Sequence, residues 1–422
     1  MARDGRGFFG WQVVAAAFVL AVFTWGINFY GPSVYLHALH ARQGWPLSLV
    51  SAAITLHFLA SAALVVRLPA LLRRFGPVAV TRAGMLAAAL GVLGWGFAAE
   101  PWHLLPASLL TAAGWAVTSG AAINALVSPW FERRRPAALA MAYNGASIGG
   151  VAFTPLWAAL IGWLGFAGAT MAVAALTLLV TWPMAGRWFR PTPAAMGLHP
   201  DGAAAPPPPR PLPPPPAGPL WRQGRFRSLS LSFALGLTAQ MGLLTVLFSI
   251  LAPALGEQGA GLAMSLATAC AILGRTVVGM LASRGPIHGS GPAGPPPIGP
   301  PLPVGMDRRL VGVLNFVLQA LGSAVLALAA GEAPALLLLG AVLFGLGIGN
   351  LLSLPPLIAQ SEWPAEEVAQ VVALVTAVNQ AFYAFGPGLF GALMEAFGAW
   401  APPVAAGLLQ LAAAAVLAAG RR

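Results

Sequence analysis

Long apolar stretches separated by short polar segments occupy most of this chain. An α-helix needs about 20 apolar residues to cross the roughly 30 Å hydrocarbon core of a bilayer. Twelve stretches are long enough, at residues 10–36, 47–71, 77–98, 103–128, 137–162, 166–188, 228–252, 259–282, 309–330, 334–358, 367–391 and 396–419. The pattern therefore predicts an all-α integral membrane protein with twelve transmembrane helices.

The arginines follow an alternating order along these spans. The chain contains no lysine, and 20 of its 22 arginines lie in every second polar segment or at the adjoining span ends, beginning with the N-terminus. Because positive residues concentrate in cytoplasmic loops, this order predicts that both termini are cytoplasmic. The two exceptions are Arg42, in a predicted external loop, and Arg275, inside a span.

A proline-rich segment divides the chain into two halves. Residues 190–227 include PPPPRPLPPPP at 206–216, which predicts a semi-rigid polyproline spacer. Such a tract is either an interdomain tether, which we favour, or a ligand for a proline-binding module; a second Gly/Pro-rich tract, at 285–305, is expected to be a surface insertion. We predict six-helix bundles at 1–189 and 228–422 joined by a cytoplasmic linker. This is the plan of transporters whose two repeats rock about a site near the bilayer midplane.

Composition excludes several other classes of protein. The chain is 58% hydrophobic and 8% charged, with a mean hydropathy of +0.79, outside the usage of soluble domains. The net charge of +11 does not indicate nucleic-acid binding, because the arginines lie between apolar spans. The single cysteine, Cys270, excludes a disulfide framework. The sequence lacks paired carboxylates, His/Cys metal spacing and a phosphate-binding Gly-Lys-Ser/Thr motif, so we expect no enzyme activity, metal, cofactor or ATP-driven pumping.

Arg275 lies in the apolar run ATACAILGRTVVGMLA (267–282) and is the first candidate for a ligand contact. A guanidinium stays protonated, and a charge near the centre of a span costs roughly 2.5–3.5 kcal/mol. Snorkelling to the surface or pairing with backbone carbonyls would also explain it. No Asp or Glu lies in the interior of a predicted span. An anionic substrate is therefore the expected partner, and a carboxylate would match the guanidinium fork.

Other polar side chains lie within or near the middle of spans. Interhelical hydrogen bonds explain such residues as often as ligand contacts do. The candidate substrate-binding residues are Asn28, Tyr30, Gln240, Asn379 and Tyr383. His57, in ITLHFLAS, is either a neutral packing residue or a proton-coupling residue. Gly145 and Gly149 form a small-xxx-small face that predicts close helix packing and, with it, a sliding surface for gating.

Four segments carry a resemblance that extends over nearly the whole chain. They are WFERRRPAALAMAYNGASIGGVAFTPL (130–156), GPSVYLHALHARQGWPLSLVSAAITL (31–56), LGRTVVGMLASR (273–284) and TAVNQAFYAFGPGLFGAL (376–393). They resemble the start of span 5, the first outer loop, span 8 and span 11 of the major facilitator superfamily, in its monocarboxylate transporter and oxalate/formate antiporter branch. The resemblance implies the major facilitator fold, and it implies that Arg275 contacts the carboxylate of the substrate.

The chain departs from this branch at several positions. The loop after span 2 has Arg73 where the superfamily usually has an acidic residue, and Val78 where a later basic residue stands. Val378 replaces a lysine of the oxalate-type members, so a monoanion fits the one remaining cation better than a dicarboxylate does. Ala271, four residues before Arg275, replaces an aspartate of the animal monocarboxylate transporters, and their span 1 lysine is missing. The family's charge latch and proton relay therefore cannot be carried over.

These observations predict a secondary transporter of small organic monocarboxylates, such as lactate- or pyruvate-like anions, that works by alternating access. Proton symport and anion exchange both fit the sequence. An exporter of amphipathic compounds on the same fold and a non-transporting membrane sensor are the alternatives. We expect a monomer that spans the cell membrane several times, in the bacterial inner membrane. Its partners would be the lipid bilayer, a small organic anion and, in a symporter, protons, with no nucleic acid.

Overall fold

The computed structural model of the chain describes residues 8–132, 134–202, 219–282 and 307–421. Within these ranges the regular structure is helical and contains no strand. The proline-rich tract at 206–216 lies outside the described residues, as does the loop predicted after span 8. Their predicted roles stay predictions.

The helices form two runs along the chain. The first run is α1 Phe9–Asn28, α2 Gly31–Gln43, α3 Leu47–Val65, α4 Leu68–Gly96, α5 Leu104–Thr118, α6 Gly120–Val127 and α7 Arg135–Trp188. The second run is α8 Gly224–Ala282, α9 Arg308–Ala329, α10 Pro334–Ile348, α11 Asn350–Glu362, α12 Ala365–Tyr383, α13 Gly386–Phe397 and α14 Ala401–Ala419. Short 3-10 turns join some of them.

Contacts between residues divide the chain into two compact units. Unit 1 comprises Met1–Arg210 and Glu257–Ser265, and unit 2 comprises Pro211–Gly256 and Leu266–Arg422. This division into units does not test the predicted boundaries of the two bundles and the linker, which stay predictions.

Four glycines with positive φ mark tight turns between helical segments. Gly76, Gly165 and Gly256 have φ of 74°, 67° and 71° with ψ between 163° and 171°, and Gly398 has φ 85° and ψ −171°. This backbone region is essentially restricted to glycine. The first three lie between predicted spans, so α4, α7 and α8 each consist of two helical segments joined at a kink. Gly398 ends α13 and moves the start of the last helix to Ala401.

Ten helical stretches in the described ranges are long and apolar enough to cross a membrane. Two of them, Ala137–Trp188 and Gly224–Arg275, are 52 residues long. Each would extend about 78 Å at 1.5 Å per residue, which is more than twice the hydrocarbon thickness. Each contains one of the glycine kinks. The count of twelve spans stays a prediction, and these kinks favour it.

Four predicted spans are each divided into two helices. The breaks fall between α1 and α2, between α5 and α6, between α10 and α11, and between α12 and α13. Two of them have the same local cause. Pro32 and Pro387 lack the N–H that would bond the carbonyls of Asn28 and Tyr383, four residues earlier. The segments NFYGP and YAFGP share this aromatic-Gly-Pro ending. The local sequence therefore contains the cause of these two breaks.

In unit 1, α7 packs closely against α1 through glycine. A Cβ atom on Gly145 would collide with the carbonyl of Phe18, and one on Gly149 would lie 2.5 Å from the carbonyl oxygen of Val22. The absence of side chains at these two positions lets the helix backbones approach. The structure thus places the predicted small-xxx-small face in a helix contact, and its role in gating stays a prediction.

The core of unit 2 is apolar and draws on five helices. Phe233 of α8, Phe316 of α9, Ile358 of α11, Val375 of α12 and Leu417 of α14 are all buried in one cluster. The Phe233 and Phe316 ring centroids are 5.3 Å apart. Through Phe316, α9 packs against the other helices of this cluster.

Candidate functional site

Arg275 lies in the last part of α8 and is half-buried. Its Nε donates a hydrogen bond to the carbonyl oxygen of Gly349, at 3.2 Å. Gly349 is the residue between α10 and α11. A Cβ atom there would lie 3.0 Å from Nε and 3.1 Å from Nη2 of Arg275. The guanidinium therefore lies against the backbone at the α10–α11 break. Pairing with a backbone carbonyl, one of the interpretations considered from the sequence, is what the structure has for the Nε atom.

Glycines bring α8 and α10 close enough for this contact. A Cβ atom on Gly274 would collide with the carbonyl of Leu346, and one on Gly345 would collide with the carbonyl of Ala267. The segment GLGIGN (345–350) supplies small residues at alternate positions. Sequence reasoning did not use this signal, although it determines where the Arg275 side chain can lie.

Buried amides form two hydrogen-bonded pairs on the helices around the α10–α11 break. The Nε2 of Gln319 donates to Oε1 of Gln240 at 3.1 Å, and the Nδ2 of Asn350 donates to Oδ1 of Asn315 at 2.7 Å. The Nδ2 of Asn315 also lies 3.4 Å from the carbonyl oxygen of Gly347. Of these residues only Gln240 was predicted from the sequence. Asn315 and Gln319 are four residues apart on α9, a spacing that places them on one helix face.

The predicted pair on α12 lies at the end of that helix. Asn379 is 5% exposed, and its Oδ1 has no hydrogen-bond partner within the described residues. Tyr383 is the last residue of α12, at the proline-induced break before α13. Buried amide oxygens normally find a donor, so the Asn379 carboxamide is suited to binding a polar ligand group.

In unit 1, Asn28 and Tyr30 flank the break between α1 and α2. Asn28 is 1% exposed and its Nδ2 donates to the Thr24 carbonyl at 3.2 Å, whereas its Oδ1 has no hydrogen-bond partner in the described part of the chain. Tyr30 is buried, with its ring centroid 5.0 Å from that of Phe29. Discontinuous helices form the binding sites of many transporters, so this placement is compatible with ligand contact.

His57 belongs to the same region of unit 1. It lies on α3, is 2% exposed, and its Nδ1 is 3.0 Å from the hydroxyl oxygen of Thr111 on α5. The carbonyls of Asn28 and Ser108 lie close to its ring. A cavity of about 10 Å³ is lined by His57, Asn28, Thr111 and Tyr35, which is the size of one water molecule. The sequence indicated His57 and Asn28 separately, and the fold brings them together.

The model of the Major Facilitator Superfamily matches residues 13–306, which is more than half of the chain. The chain belongs to the Major Facilitator Superfamily. As a member of this family with multiple apolar helices, it is a multi-pass membrane protein. The sequence-based family assignment is confirmed.

Two curated proteins are similar to part of the chain. Monocarboxylate transporter 13 of Bos taurus is 32% identical over 185 residues, which are 42% of this chain and 41% of that protein. Monocarboxylate transporter 13 of Rattus norvegicus is 32% identical over 179 residues, 41% of this chain and 40% of the relative. The chain thus spans about two fifths of the length of the curated relatives it matches.

Solved transporter structures share the fold over nearly the full length. A bacterial homolog to the human lysosomal transporter Spinster, in an inward-facing and occupied conformation, matches with a TM-score of 0.73 and 16% identity, over 97% of this chain and 96% of that one. The nucleoside transporter NupG matches with a TM-score of 0.72 and 12% identity, over 97% and 100%. At these identities the likeness shows the fold alone, and it confirms the predicted all-α membrane transporter fold.

Proposed function

We propose that the protein is a secondary transporter of small organic monocarboxylates that works by alternating access in a cell membrane, the bacterial inner membrane. The observation that carries this proposal is Arg275, a half-buried cation inside an apolar helix, oriented by the Gly349 carbonyl at a helix break. The partial similarity to monocarboxylate transporters supports the same substrate class.

The surroundings of Arg275 favour one negative charge rather than two. A guanidinium has five N–H donors in a planar fork, enough to bond a carbonyl through Nε and to accommodate a carboxylate as well. The neighbouring side chains at the α10–α11 break, Asn350 and Asn315, are amides joined to each other. Amides add hydrogen bonds without charge. A bound monocarboxylate would neutralise Arg275 and lower the cost of keeping its charge away from water.

Substitution of Arg275 tests this proposal directly. Uptake of labelled lactate, pyruvate and a dicarboxylate into proteoliposomes is compared for wild type, Arg275→Gln and Arg42→Gln. Arg42 is a matched control, since its Nη1 also donates to a glycine carbonyl, that of Gly96, at 3.1 Å. A hydrogen bond to a charged group contributes about 1.5–3 kcal/mol, so we expect monocarboxylate uptake to fall at least about tenfold in Arg275→Gln only. Undiminished uptake by Arg275→Gln, or equal loss in both variants, would contradict the proposal.

His57 is the residue we propose for proton coupling, if the transporter is a symporter rather than an exchanger. Its Nδ1 lies 3.0 Å from the Thr111 hydroxyl oxygen, and the ring lines a cavity the size of one water molecule, which gives a proton a route to the ring. In proteoliposomes with an imposed pH gradient, wild type should accumulate substrate and His57→Asn should not. Exchange of labelled for unlabelled substrate without a gradient should persist in both. Gradient-driven accumulation by His57→Asn would remove His57 from the mechanism.

A further inference from the structure

Unit 1 contains an open cavity of about 620 Å³ between the kink of α4 and the end of α7. It lies at the end of these helices where arginines concentrate, outside the group of residues considered for substrate binding. Its lining includes Pro77, Arg82, Leu86, Trp182, Phe189 and Arg190. None of its lining residues is acidic.

Arg82 is fixed in one orientation at this cavity. Its Nε donates to the carbonyl oxygen of Trp182 at 3.0 Å, and its guanidinium carbon lies 4.9 Å from the centre of the Trp182 ring. The guanidinium also lies against Gly186, where a Cβ atom would be 3.3 Å from its central carbon. Because α7 holds this side chain from one side, little rotamer entropy remains to be lost when it binds an anion.

Two further features add positive potential at the same end of the cavity. Arg190, two residues beyond the end of α7, is exposed and lines the cavity. The second helical segment of α4 begins at Pro77, after the kink at Gly76, and Val78 and Ala79 of its first turn also line the cavity. The first turn of a helix carries partial positive charge and N–H groups without intrahelical partners.

The other end of the cavity is apolar. Leu86, one turn beyond Arg82 toward the middle of the span, is 38% exposed, and Trp182 is 41% exposed. The cavity therefore runs from two arginines to aliphatic and aromatic side chains along the direction of the helices. A free phosphate would use only the first part, whereas a phospholipid has a phosphate and an acyl chain in this order.

We propose that this cavity binds an anionic phospholipid, with Arg82 and Arg190 contacting its phosphate and Trp182 and Leu86 packing against the start of an acyl chain. Basic pockets between membrane helices recognise anionic lipid headgroups by this combination of charge and apolar contact. Trp182, with an aromatic ring between the two ends, has the amphipathic character typical of the headgroup level. The bound lipid would link the start of the second α4 segment to the end of α7.

Native mass spectrometry of the purified full chain in detergent tests this proposal. Phosphatidylglycerol and phosphatidylcholine with the same acyl chains are titrated against wild type, Arg82→Gln, Arg190→Gln and Arg187→Gln. We expect wild type to prefer phosphatidylglycerol and each cavity arginine to contribute about fivefold to that preference. Arg187→Gln is the matched control, because Arg187 lies one turn before Arg190, over the Trp188 ring at 5.4 Å, and does not line the cavity. Its preference should equal that of wild type.

Three results would overturn the proposal. The first is equal binding of the two lipids by wild type. The second is an undiminished preference for phosphatidylglycerol in Arg190→Gln. This variant is sufficient to test the proposal if Arg82→Gln fails to fold. The third is displacement of phosphatidylglycerol by soluble glycerol phosphate at similar concentration, which would assign the cavity to a soluble phosphate rather than to a lipid.

Discussion

Arg309 and Arg275 both lie on helices of unit 2, in contrasting surroundings. Arg309 is 2% exposed, and its Nε and Nη2 donate to the two carboxylate oxygens of Glu362 at 2.5 Å and 2.8 Å. Its Nη1 also donates to the hydroxyl of Ser228 at 2.8 Å. The Nε of Arg275 instead donates to a neutral backbone carbonyl, that of Gly349. The bidentate carboxylate contact predicts a structural role for Arg309, whereas Arg275, whose Nε donates to a backbone carbonyl, is the arginine that we propose contacts the substrate.

Removal of the internal carboxylate should produce the largest effect on stability. In Glu362→Gln the buried Arg309 loses its charged bidentate partner; because the Glu362 side chain is 23% exposed and glutamine still accepts one hydrogen bond, we expect a cost of about 1.5–3 kcal/mol. We expect a strongly lowered unfolding temperature in detergent and low expression of the folded protein. Thermal unfolding followed by tryptophan fluorescence measures this change.

The matched control is the exposed ion pair between Arg421 and Asp307. These side chains are 39% and 45% exposed and their Nε and Oδ2 atoms are 2.7 Å apart. Exposed pairs contribute about 0–1 kcal/mol, so Arg421→Gln should unfold at nearly the wild-type temperature. If the two variants unfold at the same temperature, the structural role assigned to Arg309 is wrong and the contrast with Arg275 disappears.

A smaller effect is expected when the backbone support of Arg275 is altered. In Gly349→Ala the new methyl group would lie 2.6 Å from the carbonyl oxygen of Ala271 and 3.0 Å from Nε of Arg275, so both the α8 backbone and the guanidinium must move. Overpacking of this kind costs about 1–3 kcal/mol, and we expect it to appear mainly as weaker carboxylate binding. Isothermal titration of the purified protein with lactate and pyruvate measures that affinity.

Gly347→Ala separates this effect from general disturbance of the α10–α11 region. Its methyl group would meet the side chain of Gln319 rather than Arg275. We expect a lower unfolding temperature and a smaller loss of carboxylate affinity than in Gly349→Ala, because Gln319 is hydrogen-bonded to Gln240 but not to Arg275. Equal losses of affinity in the alanine variants of Gly347 and Gly349 would show that Gly349 has no specific relation to Arg275.

Much of the fold could be predicted from local sequence, whereas the helix breaks required the structure. The glycine turns at Gly76, Gly165 and Gly256 fall between predicted spans, because gaps in an apolar pattern mark chain reversals. The breaks after Asn28 and Tyr383 were not predicted, although the prolines four residues later carry the signal. One proline lowers the mean hydropathy of a stretch of about 20 apolar residues only slightly, so a search for long apolar runs does not detect the break.

The candidate site was predicted in part. Arg275 was identified because a charge inside an apolar run is a local anomaly. The sequence analysis did not identify Asn315, Gln319 and Asn350. A single neutral amide in a membrane helix has no evident role until the structure shows which amide it is hydrogen-bonded to. Their partners are 35 to 79 residues away along the chain, and hydropathy does not show which helices are neighbours.

The sequence alone determined that the chain is a helical membrane protein and that Arg275 needs a partner, because the cost of placing a charge in hydrocarbon depends on the local span. Only the tertiary structure decided which partner each arginine has. Glu362 lies 53 residues from Arg309 and Gly349 lies 74 residues from Arg275. Contacts over such distances depend on which helix faces pack together, and in unit 2 that choice is made by small residues and shape as much as by polarity.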